Sequence, residues 1–157
     1  MDFSLPMLLK GRTKIPSRLK DRINILQADG RALPLPDQCV DSATIAFGIR
    51  NILPRSQALE ELHRVLTPGG RLCILEFGTG ERRVWKGLYN LYLERILPAV
   101  GKLISGDPAA YRYLADTIKR FPNEKALAKE MRRAGFEKVF YRPMLSGVVY
   151  LHVGQKG

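Results

Sequence analysis

The 157-residue sequence predicts an α/β domain whose mostly parallel sheet ends in a C-terminal antiparallel hairpin. Three observations carry that reading. A strand, a helix and a strand follow one another between residues 40 and 77, an order that calls for a parallel crossover. Thr67-Pro68-Gly69-Gly70 stops the helix sharply before the second of these strands. Two late apolar runs are separated by Ser146-Gly147, a hairpin-like connection.

Taken in chain order, the stretch Lys10 to Arg22 carries Lys10, Arg12, Lys14, Arg18, Lys20 and Arg22, and Pro16 limits any helix through it. It reads as a solvated helix-and-loop face, with a basic docking surface as the alternative. Ile23 to Gln27 is expected to be a short strand closing at Ala28-Asp29-Gly30, and Val40 to Phe47 a second one closing at Gly48. Ala58, Leu59, Leu62, Val65 and Leu66 then recur at helical spacing from Ser56 onward, followed by the buried-type strand Arg71 to Phe77. Val84 to Ile104 is apolar on more than one face and needs cover on most sides; core packing or a dimer contact is the common use of such a helix. Asp107-Pro108 opens a helix running to Arg120, with a capping oxygen followed by proline in the first turn. A further helix is expected from Asn123 to Ala134, capped by Gly135 in the left-handed conformation. The final strands are Lys138 to Leu145 and Val148 to Val153.

Composition narrows the function classes. With 45% hydrophobic and 26% charged residues the chain has an ordinary globular composition, in one domain over 1–157. No apolar run approaches the ~20 residues of a membrane span. Cys39 and Cys73 form neither a thiol redox motif nor a zinc pattern, and no metal is expected; a reduced, cytoplasmic setting fits them. His63 and His152 are isolated and are assigned to structure or surface. The net charge of +11 favours an anionic partner, either nucleic acid or acidic lipid. The basic residues are scattered and no aromatic-basic recognition motif accompanies them, which argues against nucleic acid.

In open parallel sheets ligands bind outside the carboxyl ends of the strands. Here those ends are Asp2, Asp29-Gly30, Phe47 to Asn51 and Glu76 to Gly80. Leu75-Glu76-Phe77-Gly78-Thr79-Gly80 imitates the acidic residue and glycine loop of a first nucleotide-binding strand. However, the second acidic residue due about 20 positions later falls among Arg95 to Val100, inside an apolar helical run.

Several strings, in order, resemble the ubiquinone/menaquinone-biosynthesis C-methyltransferase family. They begin with Asp2-Phe3-Ser4, Met7-Leu8 and Gly11-Arg12, then Ala32-Leu33-Pro34-Leu35-Pro36-Asp37 and Phe47-Gly48-Ile49-Arg50-Asn51. They continue with Arg64-Val65-Leu66-Thr67-Pro68-Gly69-Gly70-Arg71-Leu72, Glu76-Phe77, Tyr111-Arg112-Tyr113-Leu114-Ala115 and Ala134-Gly135-Phe136. The Phe-Gly-Ile-Arg-Asn and Tyr-Arg-Tyr-Leu-Ala strings are the specific ones. The proline-glycine-glycine turn and the alanine-glycine-phenylalanine step are shared widely among methyltransferases of this fold.

The resemblance implies an incomplete Rossmann-like class I methyltransferase fold, with the first two strands and the glycine loop expected upstream of Asp2. It implies S-adenosylmethionine as cofactor and methylation of a ring carbon on a prenylated quinol. By motif position Asp2 would take the cofactor ribose hydroxyls, and Asp29 and Gly30 the adenine edge. Ala46 stands where the family commonly has a cofactor-contacting serine. Without the family match, such carboxylates are most often surface turns or helix caps. Arg50 would stabilise developing phenolate or orient the water that takes the proton, and Asn51 would position the ring oxygen. A salt bridge to a neighbouring helix is the other use of Arg50. Phe47, Tyr111 and Tyr113 would line the acceptor pocket, one of the two tyrosines being structural. Residues 82–120 would form a lid, with Arg82, Arg83 and Lys86 near anionic lipid. The partners implied are a lipophilic quinol, peripheral contact with the inner membrane face, and either a homodimer or a partner supplying the expected N-terminal half. A non-catalytic interaction module derived from such an enzyme is the alternative function.

Overall fold

The computed structural model describes residues 1–78 and 108–157, with the side chains of 108–112 not included. The expected helix Val84 to Ile104, its basic flank at residues 82–86, and Thr79-Gly80 lie outside the described residues, as does most of the 82–120 segment.

Helical spacing of apolar residues sets the first crossover. α1 spans Leu5–Arg12, and α2 spans Arg55–Val65 with Ala58, Leu59, Leu62 and Val65 buried on one face. α2 joins two parallel strands, β1 (Val40–Ala46) and β2 (Leu66–Phe77). Thr67-Pro68-Gly69-Gly70 ends the helix as expected but belongs to β2, as an irregularity where the register passes from Val40–Leu66 to Ser42–Arg71. A Cβ on Gly70 would lie 2.8 Å from the Thr67 carbonyl oxygen and 3.1 Å from that of Asp41. Only glycine lets the two strands close at this point.

α3 (Pro108–Arg120) and α4 (Glu124–Arg133) follow, and local chemistry sets both ends of α4. The Asn123 side chain accepts a hydrogen bond from the Ala126 amide at 2.9 Å, and Gly135 takes φ +98° just past the helix. β3 (Phe136–Met144) and β4 (Val149–Lys156) turn on the short 3-10 segment Leu145–Gly147. The sheet order is β1-β2-β4-β3, so β4 lies against β2 and β3 forms the outer edge. The β1–β2 pair is parallel and the two pairings made by the hairpin are antiparallel, giving a mixed sheet.

One expected strand does not form. Ile23 to Gln27 makes a single parallel bridge, between Gln27 and Asp2, held by Asp2 N–H to Leu26 O (3.3 Å) and Ala28 N–H to Asp2 O (3.1 Å). Its alternation suits a strand, but a strand needs a continuous ladder, and Ile23 and Ile25 remain exposed among the described residues.

The core lies where α2 and α4 cover the sheet. Leu59, Leu72, Ile74, Leu127 and Met131 are wholly buried there with Ile49, Leu66 and Phe136. Each such side chain contributes roughly 1.5–3 kcal/mol of hydrophobic stabilisation. Arg55 donates to Glu130 at 2.8 Å and ties the two helices at their rim. α1 has no buried residue, and no helix among the described residues is long and apolar enough to cross a membrane.

Candidate functional site

β1 ends in a turn that reverses direction without leaving the sheet. The Phe47 amide still donates to Leu75 O at 2.8 Å, extending the parallel pairing, while its φ of +54° turns the chain into the 3-10 segment Ile49–Asn51. The left-handed conformation is strained for a bulky aromatic residue and persists only where its neighbours hold it. Ile49 anchors the turn in the core at 0% exposure. The Phe47 ring packs on Phe77 with centroids 4.7 Å apart.

Arg50 is the second anchor. Its Nη1 donates to Phe47 O at 2.6 Å and to Glu76 Oε1 at 2.7 Å, and its guanidinium lies over the Phe77 ring. Glu76 is 1% exposed and also accepts from the Phe77 amide at 2.9 Å. The Arg50 side chain is therefore bound in an ion pair to a strand rather than to a helix, and it does not line the cleft beside the turn. The false first-strand motif has a physical resolution in the same contact, since its acid is enclosed against Arg50.

That cleft, of about 840 Å³, runs along β1 and is lined by Asp2, Phe3, residues 28–31, Ala46, Phe47, Asn51 and Ile52, among others. It gathers six sequence-predicted residues: Asp2, Asp29, Gly30, Ala46, Phe47 and Asn51. Its wall from Leu33 to Leu35 is clamped to α2, where Glu61 accepts from the Leu33 amide (2.7 Å) and Arg64 donates to Leu35 O (2.9 Å). Asn51 Oδ1 accepts from the Tyr113 hydroxyl of α3 at 3.2 Å, which brings the two specific strings together. Tyr111 lies on the same helix, its side chain outside the described residues.

The two acids of the cleft differ. Asp2 Oδ1 caps the Ser4 amide at 2.8 Å, and Oδ2 has no partner among the described residues. Asp29 is gripped by Arg31, which was not among the expected site residues. Oδ1 accepts from the Arg31 amide and Nε, and Oδ2 from Nε and Nη2. Those bonds, the side-chain ones first, push the Asp29 carboxyl down from 3.8 to about 2. Arg31 Nη1 also donates to Leu53 O at 2.8 Å, fixing this strand end to the segment before α2. Asp29 opens a turn closed by the Ala32 amide donating to Asp29 O at 3.1 Å, and an aspartate that starts a turn accepts from the amide two residues on, so Asp29-Gly30-Arg31 was the available signal. Glu76 and Arg50 lie 26 positions apart, and no spacing announces such a pair.

Among the described residues no three His, Cys, Asp or Glu side chains converge as a metal site. His63, half-buried, packs edge-on against Phe136, and His152 is buried against Tyr141.

The model of the ubiE/COQ5 methyltransferase family matches residues 1–156. The chain belongs to this family. It is 42% identical over 156 residues to the ubiquinone/menaquinone biosynthesis C-methyltransferase UbiE of Marinomonas sp. (strain MWYL1), covering 99% of this chain and 62% of that protein. The corresponding UbiE of Shewanella oneidensis gives the same identity and coverage. The chain thus spans less than two thirds of the length of these curated relatives. Among solved structures, a SAM-dependent methyltransferase of Thermotoga maritima, a possible histamine N-methyltransferase, superposes with TM-score 0.67 at 21% identity, over 99% of this chain and 71% of that one. A SAM-dependent methyltransferase of Aquifex aeolicus gives 0.66 at 18%, over 99% and 66%. At such identities these two show the fold, a Rossmann-like class I methyltransferase. The cofactor of the ubiE/COQ5 family is S-adenosylmethionine.

The cleft suits that cofactor on its donor set. Asp2, whose Oδ2 has no partner among the described residues, faces the same space as a backbone step at Gly30 whose added Cβ would meet Ile52 Cδ1 at 2.9 Å. A side chain at Gly30 would push into the cleft wall.

Proposed function

We propose that this chain carries the acceptor-side machinery of a methyltransferase that alkylates a ring carbon of a prenylated quinol in quinone biosynthesis. The observation that supports this most is the Phe47–Asn51 turn, which stands at the mouth of a cleft holding Asp2 and Asp29 and is joined through Asn51 to Tyr113.

S-adenosylmethionine, when bound, supplies an electrophilic methyl group on a sulfonium. The chain's own residues then have separate tasks. The free Oδ2 of Asp2 accepts from ribose hydroxyls, as a strand-end carboxylate does. Gly30 lets the adenine edge approach the backbone. That edge meets the Asp29 carboxylate only by displacing Arg31, which occupies both oxygens. Ala46 offers a methyl where a hydroxyl would give one more hydrogen bond. Asn51 presents its amide to a ring oxygen while Tyr113 holds its Oδ1. Carbon methylation needs an electron-rich ring; Arg50, compensated by Glu76 and turned from the cleft, serves it by holding the turn that presents Asn51. Phe47 contributes to the apolar surround. An isoprenoid tail explains why a chain of charge +11 would work at the face of an anionic membrane.

Calorimetry with S-adenosylmethionine on this chain and on a version extended upstream tests the cofactor assignment. Binding abolished by Asp2→Ala supports it, whereas negligible binding by both versions rejects it. Transfer of a labelled methyl group to short-tailed benzoquinols and naphthoquinols identifies the acceptor.

One observation favours a second reading, an interaction module. β1 is an edge strand whose outer side pairs with no strand among the described residues, and Phe3, Leu5, Met7 and Leu9, in and before α1, are exposed. Self-association or capture of a partner's strand at this edge would follow. A stable monomer in size-exclusion chromatography counts against it.

A further inference from the structure

The Glu76–Arg50 pair has more geometry than fold stability requires. A fully buried ion pair returns little over an apolar pair of equal volume, because both charges must leave water. What it supplies is direction. Glu76 Oε1 receives Arg50 Nη1 and the Phe77 amide, and Oε2 receives the Arg50 amide at 3.4 Å, so one carboxylate grips both the backbone and the side chain of residue 50. Arg50 in turn donates to Phe47 O, across the left-handed residue of the turn. With the guanidinium so placed, Arg50 Nε is buried and has no hydrogen-bond partner among the described residues. Leaving a buried donor unmet is costly, and such donors concentrate where a ligand or an ordered water completes them.

We propose that Glu76 is a positioning residue for methyl transfer: by gripping the backbone and guanidinium of Arg50 it sets the Phe47–Asn51 turn and with it the Asn51 amide at the cleft, leaving Arg50 Nε–H to an ordered water behind the turn. This rests on the reading that the turn faces the quinol. Glu76 acts through Arg50 and touches no reacting atom. A glutamine retains the shape and one acceptor oxygen but not the charge that fixes the guanidinium. An aspartate retains the charge and retracts it by one methylene.

The test uses the full chain labelled with 15N, as wild type, E76Q and E76D. The Arg50 Nε–H resonance is identified by its loss in R50K. Titration follows with a ring-demethylated quinol bearing a short prenyl tail, together with steady-state methyl transfer to it. Wild type should show a resolved, slowly exchanging Arg50 Nε–H and a distinct Asn51 side-chain amide, the latter shifting with quinol. E76Q should move both signals toward those of exposed residues while most backbone amides stay in place. It should lower kcat about 100-fold, the scale of a ~1 Å misplacement, without changing KM for S-adenosylmethionine. E76D should recover part of each.

Unchanged Arg50 and Asn51 signals in E76Q overturn the proposal, as does a displaced Arg50 with unaltered kcat. Should E76Q fail to fold, E76D decides by the same signals. An Asn51 amide in wild type that ignores quinol rejects the acceptor reading itself. That failure is distinguishable, because the Arg50 and Asn51 signals would still differ between wild type and E76Q.

Discussion

Replacing Arg31 by alanine should release the Asp29 carboxyl and report directly on the cleft. In the native chain Asp29 accepts three hydrogen bonds from the Arg31 side chain, between 2.6 and 3.1 Å, and one from the Arg31 amide at 2.9 Å. The side-chain bonds are the largest cause of the fall from 3.8 to about 2, the backbone bond the second. Arg31→Ala removes the first and the attached charge but keeps the second. The carboxyl should therefore titrate most of the way back toward 3.8 without reaching it. The side chains are 41% and 30% exposed, so added salt should also raise the wild-type value, though by less than the substitution. A carboxyl depressed by folding contributes stability that is complete above 3.8 and lost as pH falls through about 2. The acid limb of the stability curve should accordingly move to higher pH in the variant. The assay is a 13C NMR titration of the Asp29 carboxyl in both proteins. A wild-type value near 3.8, or the same value in both, would refute the reasoning.

Other measurements address the scaffold. His63 and His152 both have pKa values below the ordinary 6.5, chiefly through burial. Protonation then favours the unfolded chain, so the urea midpoint should hold above about pH 7 and fall as pH drops below about 6.5; a flat profile down to about pH 5.5 contradicts this. Leu59 is wholly buried between α2 and the sheet, and Leu59→Ala should cost about 2–5 kcal/mol in urea unfolding, less than 1 being inconsistent with that packing. Gly135→Ala places a Cβ 3.0 Å from His63 Nε2 at φ +98° and should cost roughly 1–2 kcal/mol, visible in the same experiment; an unchanged midpoint would mean the cap is not required.

What was legible in the sequence was local. The stripe at 58, 59, 62 and 65 predicts the buried face of α2 because helix period and burial are one signal. Asn123 and Gly135 mark the ends of α4 because a cap is chemistry between residues a few positions apart. Where the outcome depended on distant segments, the pattern was insufficient. Ile23 to Gln27 alternates like a strand, yet its only described partner is Asp2, and one bridge is not a ladder. Arg50 was expected at the acceptor or bridged to a neighbouring helix, and its counter-ion instead sits on β2. The approach of Tyr113 to Asn51, 62 positions apart, is a property of how α3 returns to the sheet, which no periodicity encodes. Family strings located Phe47, Asn51 and Tyr113 beforehand, but not which atoms meet.

Two carboxylates at expected strand ends, each paired with an arginine, divide into one on the cleft and one behind it. Asp29 is 30% exposed and Glu76 only 1%. Water screens the Asp29–Arg31 pair, so a ligand that offers its own donor can exchange for Arg31 at small cost. Breaking the Glu76–Arg50 pair leaves a buried charge without compensation, a loss of about 3–5 kcal/mol in comparable cases. The first arrangement suits a group that must bind and release; the second suits one that must not move while binding occurs beside it. Sequence position alone ranked the two acids equally, since both were expected at carboxyl ends of strands. Burial divides them, and it makes Asp29 with Asp2 the acids of the cleft and Glu76 the fixed point behind the turn that closes it.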